Sequence, residues 1–263
     1  MSRYLWKKKR FFLMTTGSGG GGEPTPWYLP PGVTEDDVLA AYTFKGAASA
    51  GAARTNLAAT GSVYDLAENR SPSWDASTGY YLGGNNGSYL NSSNLDALTT
   101  IKTIVIRYAG LSTANDAILP LSLIKGRTTY GTDNPLFYAR PNFRVIYDGN
   151  EKTIESSYPC IVTALNTSTE KMTYKLGNAK VASKGVLACD ASHIYYNGTA
   201  MTLTTKTATC DTSITTEINL HTQYSYTLAS HAAYPYYVIG AAFYSKVLSA
   251  TSHSWIAESL ADL

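Results

Sequence analysis

The chain has 263 residues, of which 44% are hydrophobic, 12% aromatic and only 15% charged. Lys and Arg number 21 against 19 Asp and Glu, a formal net charge of +2, but beyond the first 22 residues the chain is slightly acidic, which argues against a body that binds nucleic acid through a basic face of its own. The length allows one large domain or two small ones, and the 21 tyrosines favour half-buried β-sheet surfaces.

Residues 1–22, called the arm below, differ in composition from the rest of the chain. Without the five cations of the arm, 16 Lys and Arg face 19 acids, so the basic character belongs to the arm. A run that is glycine from 17 to 22 except at Ser18 separates the arm from the rest of the chain. We expect the arm to bind a partner surface through its cationic and aromatic side chains, which are Arg3, Tyr4, Trp6, Lys7, Lys8, Lys9, Arg10, Phe11 and Phe12.

Three interpretations of the arm stay open. A socket on a partner protein is favoured over contact with packaged nucleic acid or a membrane face, where Lys-rich segments bind phosphates, and over a disordered tail. The apolar run at residues 11–14 is shorter than the roughly 7–15 residues of a signal-peptide core and the roughly 20 of a membrane helix. Neither a signal peptide nor a membrane span is expected there.

Residues 23–37 form a predicted Pro-rich linker. Four prolines lie between residues 23 and 32, around Trp27, Tyr28 and Leu29, and such density favours extended, semi-rigid chain. The aromatic centre of this segment indicates that it lies along a surface. Thr34 precedes three acids and predicts a short capped turn.

Residues 38–263 are predicted to be one all-β sandwich. Turn signals separate many short apolar or alternating runs, and Asn197-Gly198 predicts a tight hairpin with positive φ. One helix is expected at the end, capped by Ser249, with Trp255, Ile256 and Leu260 on one face. The predicted strands cover residues 38–44, 63–66, 80–82, 89–91, 103–108, 118–124, 136–139, 143–147, 160–165, 171–176, 193–196, 201–204, 217–220 and 236–244.

Three cysteines, Cys160, Cys189 and Cys210, have no metal-ligand spacing, and an odd number excludes a complete disulfide framework. Buried thiols in a reducing compartment are favoured, and a Cys189–Cys210 bridge stays the alternative.

Four segments in order resemble the concanavalin A-like lectin/glucanase jelly roll, in its laminin-G-like variety. Residues 38–45 are similar to the first strand of that family, residues 73–82 with 88–90 to a following strand pair, residues 192–201 to a hairpin, and residues 237–250 to the closing strand and helix cap. The resemblance covers residues 38–263 and implies a two-sheet jelly roll. Ala76 replaces a family glycine, which argues against a family-type calcium site near Asp75; no metal or cofactor is predicted.

The order of arm, linker and sandwich also resembles virion proteins of tailed phages that infect Bacteroidales, including the crAss-like group. That resemblance implies assembly in the host cytoplasm and a place on the virion surface, as a head fibre or tail appendage. The arm then docks on another virion protein of the capsid or tail. A homo-oligomer is expected, and no nucleic acid is expected for the domain.

No enzymatic activity is predicted. The paired carboxylates of glycoside hydrolases on this fold, in a Glu-x-Asp-x-x-Glu motif, are missing. Glu68 and the acids at 35–37, 148 and 151 are interpreted as solvated turn residues. His193 and His253 are interpreted as ordinary surface or hydrogen-bonded residues, since the four histidines do not cluster.

The sandwich is expected to project from the particle, where it contacts host glycans or decorates the surface. Sugars are held by aromatic rings together with polar groups that fix their hydroxyls, and two segments contain those ingredients. For any one of these aromatics, a place in the core or in a subunit interface is the favoured interpretation. A purely architectural subunit that binds no sugar stays a further alternative. A cellular envelope-associated protein that binds or cleaves glycans is the alternative to a virion protein. The candidate carbohydrate-binding residues are Tyr130, Asp133, Asn134, Tyr138, Asn142, Tyr234 and Tyr236.

Overall fold

The computed structural model describes residues 25–263 with gaps at 70, 83–88, 93–100, 111–120, 124–137, 140–142, 148–149, 155–158, 167–170, 191, 210–217, 222–235 and 262. It confirms an all-β sandwich with a C-terminal helix. The strands are β1 Val38–Thr43, β2 Ala67–Asn69, β3 Ser73–Asp75, β4 Gly79–Leu82, β5 Tyr89–Ser92, β6 Thr103–Ala109, β7 Leu121–Leu123, β8 Tyr138–Ala139, β9 Phe143–Tyr147, β10 Asn150–Ile154, β11 Cys160–Asn166, β12 Lys171–Gly177, β13 Gly185–Cys189, β14 Ile194–Tyr196, β15 Thr199–Ala200, β16 Leu203–Thr209, β17 Ile218–His221 and β18 Tyr236–Tyr244. The helices are α1 Ala50–Arg54 and α2 Ala250–Ala261, with 3₁₀ turns at Glu35–Asp37 and Gly61–Tyr64.

An eight-stranded antiparallel sheet, called the large sheet, organises the fold. Its strand order is β15-β14-β13-β6-β18-β4-β3, and β1 pairs with the second half of β18 on the side where β4 pairs with the first half. A second sheet has the order β2-β5-β17-β7-β8. Smaller sheets join β11-β12-β16 and β9-β10. The long strand β18 therefore connects both halves of the large sheet.

Both faces of the large sheet are buried over much of its area. One face packs in a core with Leu90 of the second sheet, and its largest side chains include Tyr42, Phe44 and Tyr80. The other face, called the outer face, packs Val105 and Tyr244 against α2. Because β13 lies between both layers, all five of its residues are buried, and it lacks the alternation that identifies a half-buried strand.

Several local predictions can be compared with the structure. The prediction of a strand at 63–66 is wrong, because a 3₁₀ turn spans Gly61–Tyr64. The predicted hairpin is confirmed: φ is 48° at Asn197 and 78° at Gly198, between β14 and β15. Ser249 caps α2, since its Oγ accepts a hydrogen bond from the Ser252 amide at 3.0 Å. Of the cysteines, Cys189 is buried, whereas Cys210 and the side chain of Cys160 lie outside the described residues.

Residues 26–33, called the strap below, lie along the outer face. The Trp27 indole donates to Thr43 Oγ1 at 2.8 Å, and the Tyr28 hydroxyl donates to the Leu57 carbonyl at 3.1 Å. At the other end, Lys246 Nζ donates to the Gly32 carbonyl at 2.9 Å. The predicted linker is thus integrated into the domain from its aromatic centre onward. The capped turn also forms, because the Thr34 amide donates to Asp37 Oδ2 at 3.0 Å.

No helix in the described part of the chain combines the length and apolar character that crossing a bilayer requires.

Candidate functional site

A groove of about 540 Å³ lies on the large sheet, and its lining includes no residue of the strap or of α2. It is built on β3, on β4, on the turn between them, and on the start of β18. This groove is open to solvent at one edge of the sheet. Its lining consists of Ser73, Trp74, Asp75, Ser77, Thr78, Gly79, Tyr81 and Tyr237.

Two tyrosines form the aromatic wall of the groove. Tyr81 of β4 and Tyr237 of β18 are directly opposite each other, with ring centroids 5.1 Å apart and planes inclined by 52°. Strand alternation places them on the outer face, because their neighbours Tyr80 and Tyr236 are both fully buried in the core. Both rings remain half-buried, so each keeps part of its surface accessible.

The turn after β3 supplies polar groups. Asp75 Oδ1 accepts hydrogen bonds from the Ser77 hydroxyl and, at 2.8 Å, from the Ser77 amide. These hydrogen bonds hold the pKa of Asp75 below its ordinary value, and the bond from the hydroxyl has the largest effect. The exposed carboxylate is therefore ionised at neutral pH. The backbone of Thr78 lowers the pKa of this carboxyl as well, by a smaller amount. A charged acceptor therefore lies at the groove edge, ready to bind a hydroxyl group.

The backbone fits the strands closely at Gly79. Its φ is +87°, and a Cβ placed there would lie 2.2 Å from the Val238 carbonyl oxygen. Trp74 is fixed as well, since its indole nitrogen donates to the Phe44 carbonyl at 2.8 Å. The wall and floor are therefore held by the fold before any ligand arrives.

Chemically, the groove suits a polyol. Tyrosine rings stack on the apolar faces of sugar rings, while carboxylate and hydroxyl groups bind their hydroxyls. Most glycosidases use two carboxyl groups about 5–10 Å apart. Asp75 is the one carboxylate among the described residues that line the groove. The described lining thus offers an aromatic wall and one charged acceptor for sugar hydroxyls.

The sequence-predicted sugar site is placed only in part. The prediction that Tyr236 binds a sugar is wrong, because Tyr236 is fully buried in the core and its ring has no free face. The backbone of Tyr138 lies in β8, but its side chain is not among those described. The other candidates, and all the arm residues, lie outside the described part of the chain: Tyr130, Asp133, Asn134, Asn142, Tyr234 and residues 1–22.

Sequence reasoning missed Tyr81, Tyr237 and Asp75 as a group. The signal that could have found Tyr237 is the alternation of β18: if Tyr236 points into the core, its neighbour must lie on the opposite face. Tyr81 has the same relation to Tyr80. Which member of each pair is buried depends on packing between layers, and local sequence does not encode it.

Two residues interpreted as ordinary surface groups have other environments. His253 is only 2% exposed, and neither ring nitrogen has a hydrogen-bond partner among the described residues, so the interpretation is wrong for this histidine. Glu68 is exposed, as interpreted, but it is not in a turn. It lies in β2, 3.2 Å from Arg54 Nε, and accepts a 2.6 Å hydrogen bond from the Tyr80 hydroxyl.

His193 does lie at the surface, with its side chain 54% exposed. Its Nδ1 is 3.1 Å from both carboxylate oxygens of the buried Asp190. In the described residues, no three His, Cys, Asp or Glu side chains are grouped so that they could hold a metal ion.

Comparisons with known proteins give structural likenesses alone. No protein-family model matches the chain, and no curated protein sequence is detectably similar to it. The receptor-binding domain of the botulinum neurotoxin C/D mosaic serotype is similar over 86% of this chain and 52% of its own length, with 9% identity and a TM-score of 0.48. The botulinum neurotoxin serotype C1 binding domain is similar over 86% and 52%, with 10% identity and a TM-score of 0.46.

A Trypanosoma rangeli sialidase, solved as a covalent intermediate with 2,3-difluorosialic acid, is similar over 84% of this chain and 33% of its own length. Its identity is 8% and its TM-score is 0.42. The chain thus spans about half or less of these structures. At such low identities and TM-scores the structural likeness does not bear on the function of this chain.

Proposed function

We propose that this chain is a non-enzymatic carbohydrate-binding protein whose groove holds a glycan. The observation that carries the proposal is the half-buried Tyr81–Tyr237 pair beside the ionised Asp75. A sugar ring stacks on the tyrosines, and its hydroxyls donate to the exposed carboxylate of Asp75. The hydroxyls of Ser73, Ser77 and Thr78 complete the polar lining.

The arm gives this binding domain a place on a larger particle. Its cations and aromatic residues suit a socket on a partner protein, and the strap fixes where the arm leaves the domain, at Trp27. We assign the protein to the virion surface of a tailed phage, as a head fibre or tail appendage. What supports this assignment is the order of arm, strap and lectin-like sandwich.

Display in many copies compensates for weak single sites. An open groove with two aromatic rings holds a sugar with modest affinity, because much of the ligand stays in water. Copies fixed on one particle bind a glycan-coated surface together, and avidity raises the overall affinity by about 10²–10⁴-fold.

The test is glycan binding by the full chain and by variants of the tyrosine pair. Tyr237→Ala removes the ring, and we expect it to weaken binding by about tenfold or more, as loss of an aromatic anchor does. Tyr237→Phe is the matched control, because it keeps the stacking face and loses only the hydroxyl. Asp75→Asn tests the polar side in the same way.

A glycan array followed by calorimetric titration of the best ligand measures these affinities. Equal binding by Tyr237→Ala and the unsubstituted chain contradicts a role for the groove. Failure of the unsubstituted chain to bind any glycan contradicts the function itself and leaves an architectural subunit.

A further inference from the structure

A cationic side chain lies next to the groove on the same face of the large sheet. Tyr237 of β18 pairs with Ala109 of β6, and Arg107 is two residues from Ala109 along β6. Ala109 and Arg107 lie on the same face of β6, which is the face of Tyr237, and a bulge in β18 between Val238 and Gly240 separates the two pairs. Arg107 is thus a neighbour of the aromatic wall, although it is not one of the groove's lining residues.

Arg107 has an unusual environment for a cation. Its Nε is buried and has no hydrogen-bond partner among the described residues. Within the same residues, the guanidinium forms no ion pair. Burial lowers the pKa of Arg107, which shows that the surroundings disfavour the charge. Among the described residues the buried Nε of Arg107 thus lacks an acceptor, and an anion bound beside the groove would offset the cost of desolvating this guanidinium.

The charges at the two ends of the site are opposite. The strands run in the order β3, β4, β18, β6, so Asp75 lies at one end and Arg107 at the other, with the tyrosine pair between them. A ligand that places an acidic group beside Asp75 is repelled. A ligand in the reverse orientation brings that group to Arg107 and its hydroxyls to Asp75.

We propose that the glycan bound in the groove is acidic and that Arg107 binds its anionic group, a carboxylate or a sulfate. The guanidinium fork matches the two oxygens of such a group in a bidentate arrangement. This inference rests on the proposed function, because it names the ligand class of the same groove.

The test compares pairs of glycans that differ in one acidic group. The full chain is titrated with a neutral oligosaccharide, its uronate- or sialate-terminated form and its sulfated form. We expect the preferred acidic form to bind at least about tenfold more tightly than its neutral parent, as a charged hydrogen-bonded contact provides. The carboxylated and sulfated arms distinguish the two anionic groups.

Arg107→Gln is expected to abolish this preference, and Arg107→Lys to retain part of it, because lysine keeps the charge without the fork. Lys180→Gln is the matched control, since it removes one positive charge from an exposed residue of the loop between β12 and β13. Thermal unfolding verifies that each variant is folded. If Arg107→Gln does not fold, the salt dependence of the unsubstituted chain replaces it: the acidic preference must shrink as salt rises.

Equal affinity for the neutral and acidic forms overturns the inference, as does a preference that survives Arg107→Gln or is insensitive to salt. These results differ from failure of the proposed function, in which the chain binds no glycan or binds equally well without Tyr237.

Discussion

The imidazole of His253 stacks on the ring of Tyr195, with ring centroids 3.8 Å apart and planes inclined by 20°. This contact joins the first turns of α2 to β14 at the edge of the large sheet. The buried imidazole has no hydrogen-bond partner among the described residues, and burial lowers the pKa of His253 to about 4. Asp190 opposes this shift and His193 adds to it, both by smaller amounts. The docking of α2 therefore requires a neutral histidine.

The free energy of unfolding is expected to fall in mild acid because of His253. The unfolded chain protonates this histidine as the pH drops through its ordinary pKa of 6.5, whereas the folded chain resists protonation until about pH 4. The free energy of unfolding therefore falls by up to roughly 3 kcal/mol as the pH drops from about 6.5 to about 4. Urea unfolding at several pH values between neutrality and pH 4 measures the loss.

His253→Leu and His253→Phe remove the titrating group, and the second variant keeps a ring for Tyr195. Both are expected to lose about 2 to 3 kcal/mol less than the unsubstituted chain on acidification to about pH 4.5. A pH slope that is the same in all three proteins would show that His253 does not carry the effect.

Gly198 is expected to tolerate no side chain. Its φ is +78°, and a Cβ there would lie 2.7 Å from the Ser254 Cα, so the hairpin β14–β15 touches the backbone of α2. Gly198→Ala therefore combines an unfavourable backbone conformation with a clash, and we expect a loss of about 2–3 kcal/mol in unfolding free energy. Denaturant unfolding measures it.

Two other glycines separate those contributions. Gly32 has φ +81° with nothing within 4 Å of its Cβ position, so Gly32→Ala is expected to cost about 1 kcal/mol from conformation alone. Gly51 lies in α1 without a positive φ, and Gly51→Ala is expected to stabilise the protein by about 0.5–1 kcal/mol. A Gly198→Ala loss no larger than that of Gly32→Ala would rule out the clash.

The Asn197-Gly198 hairpin could be predicted from sequence because the turn chemistry is local: two positive φ angles need those residue types. Strand β13 could not, because a strand buried on both faces has no alternation, and its Gly, Ala and Cys residues have weak strand preferences. The groove has an intermediate status. Its tyrosine-rich segment is visible in the sequence, but the choice of Tyr237 over Tyr236 depends on which face of β18 meets the core. The burial of His253 depends on Tyr195, a partner 58 residues away in sequence.

Trp27 is expected to hold the strap on the domain. Its ring lies over Gly240, where a Cβ would be 3.4 Å from Cζ2, and its indole donates to Thr43 Oγ1. Trp27→Ala removes a half-buried aromatic ring, and we expect it to cost about 2 kcal/mol and to open the strap to proteolysis. Limited proteolysis with mass spectrometry locates the cut sites.

Thr43→Val is the control for the hydrogen bond alone, since it keeps the volume of the acceptor and removes its oxygen. We expect it to cost about 1 kcal/mol and to leave the strap protected. If Trp27→Ala is no more protease-sensitive within residues 26–33 than the unsubstituted chain, then the strap is held by its other contacts.

Deletion of the arm is expected to separate folding from attachment. The contacts of the strap begin at Trp27, so a chain without residues 1–22 keeps them and should unfold at the same temperature as the full chain. Under the proposed virion role it should also fail to co-sediment with phage particles that lack this protein, because the cationic and aromatic side chains proposed to bind the particle are gone.

Two arm variants identify which contribution matters. Replacing Lys7, Lys8 and Lys9 by Gln removes three charges and should weaken attachment mainly at low salt, whereas replacing Phe11 and Phe12 by Ala should weaken it at all salt concentrations. The two sets are matched in that both leave the domain and the glycine run unchanged. Attachment that is equally strong without the arm would mean that the sandwich itself docks on the particle.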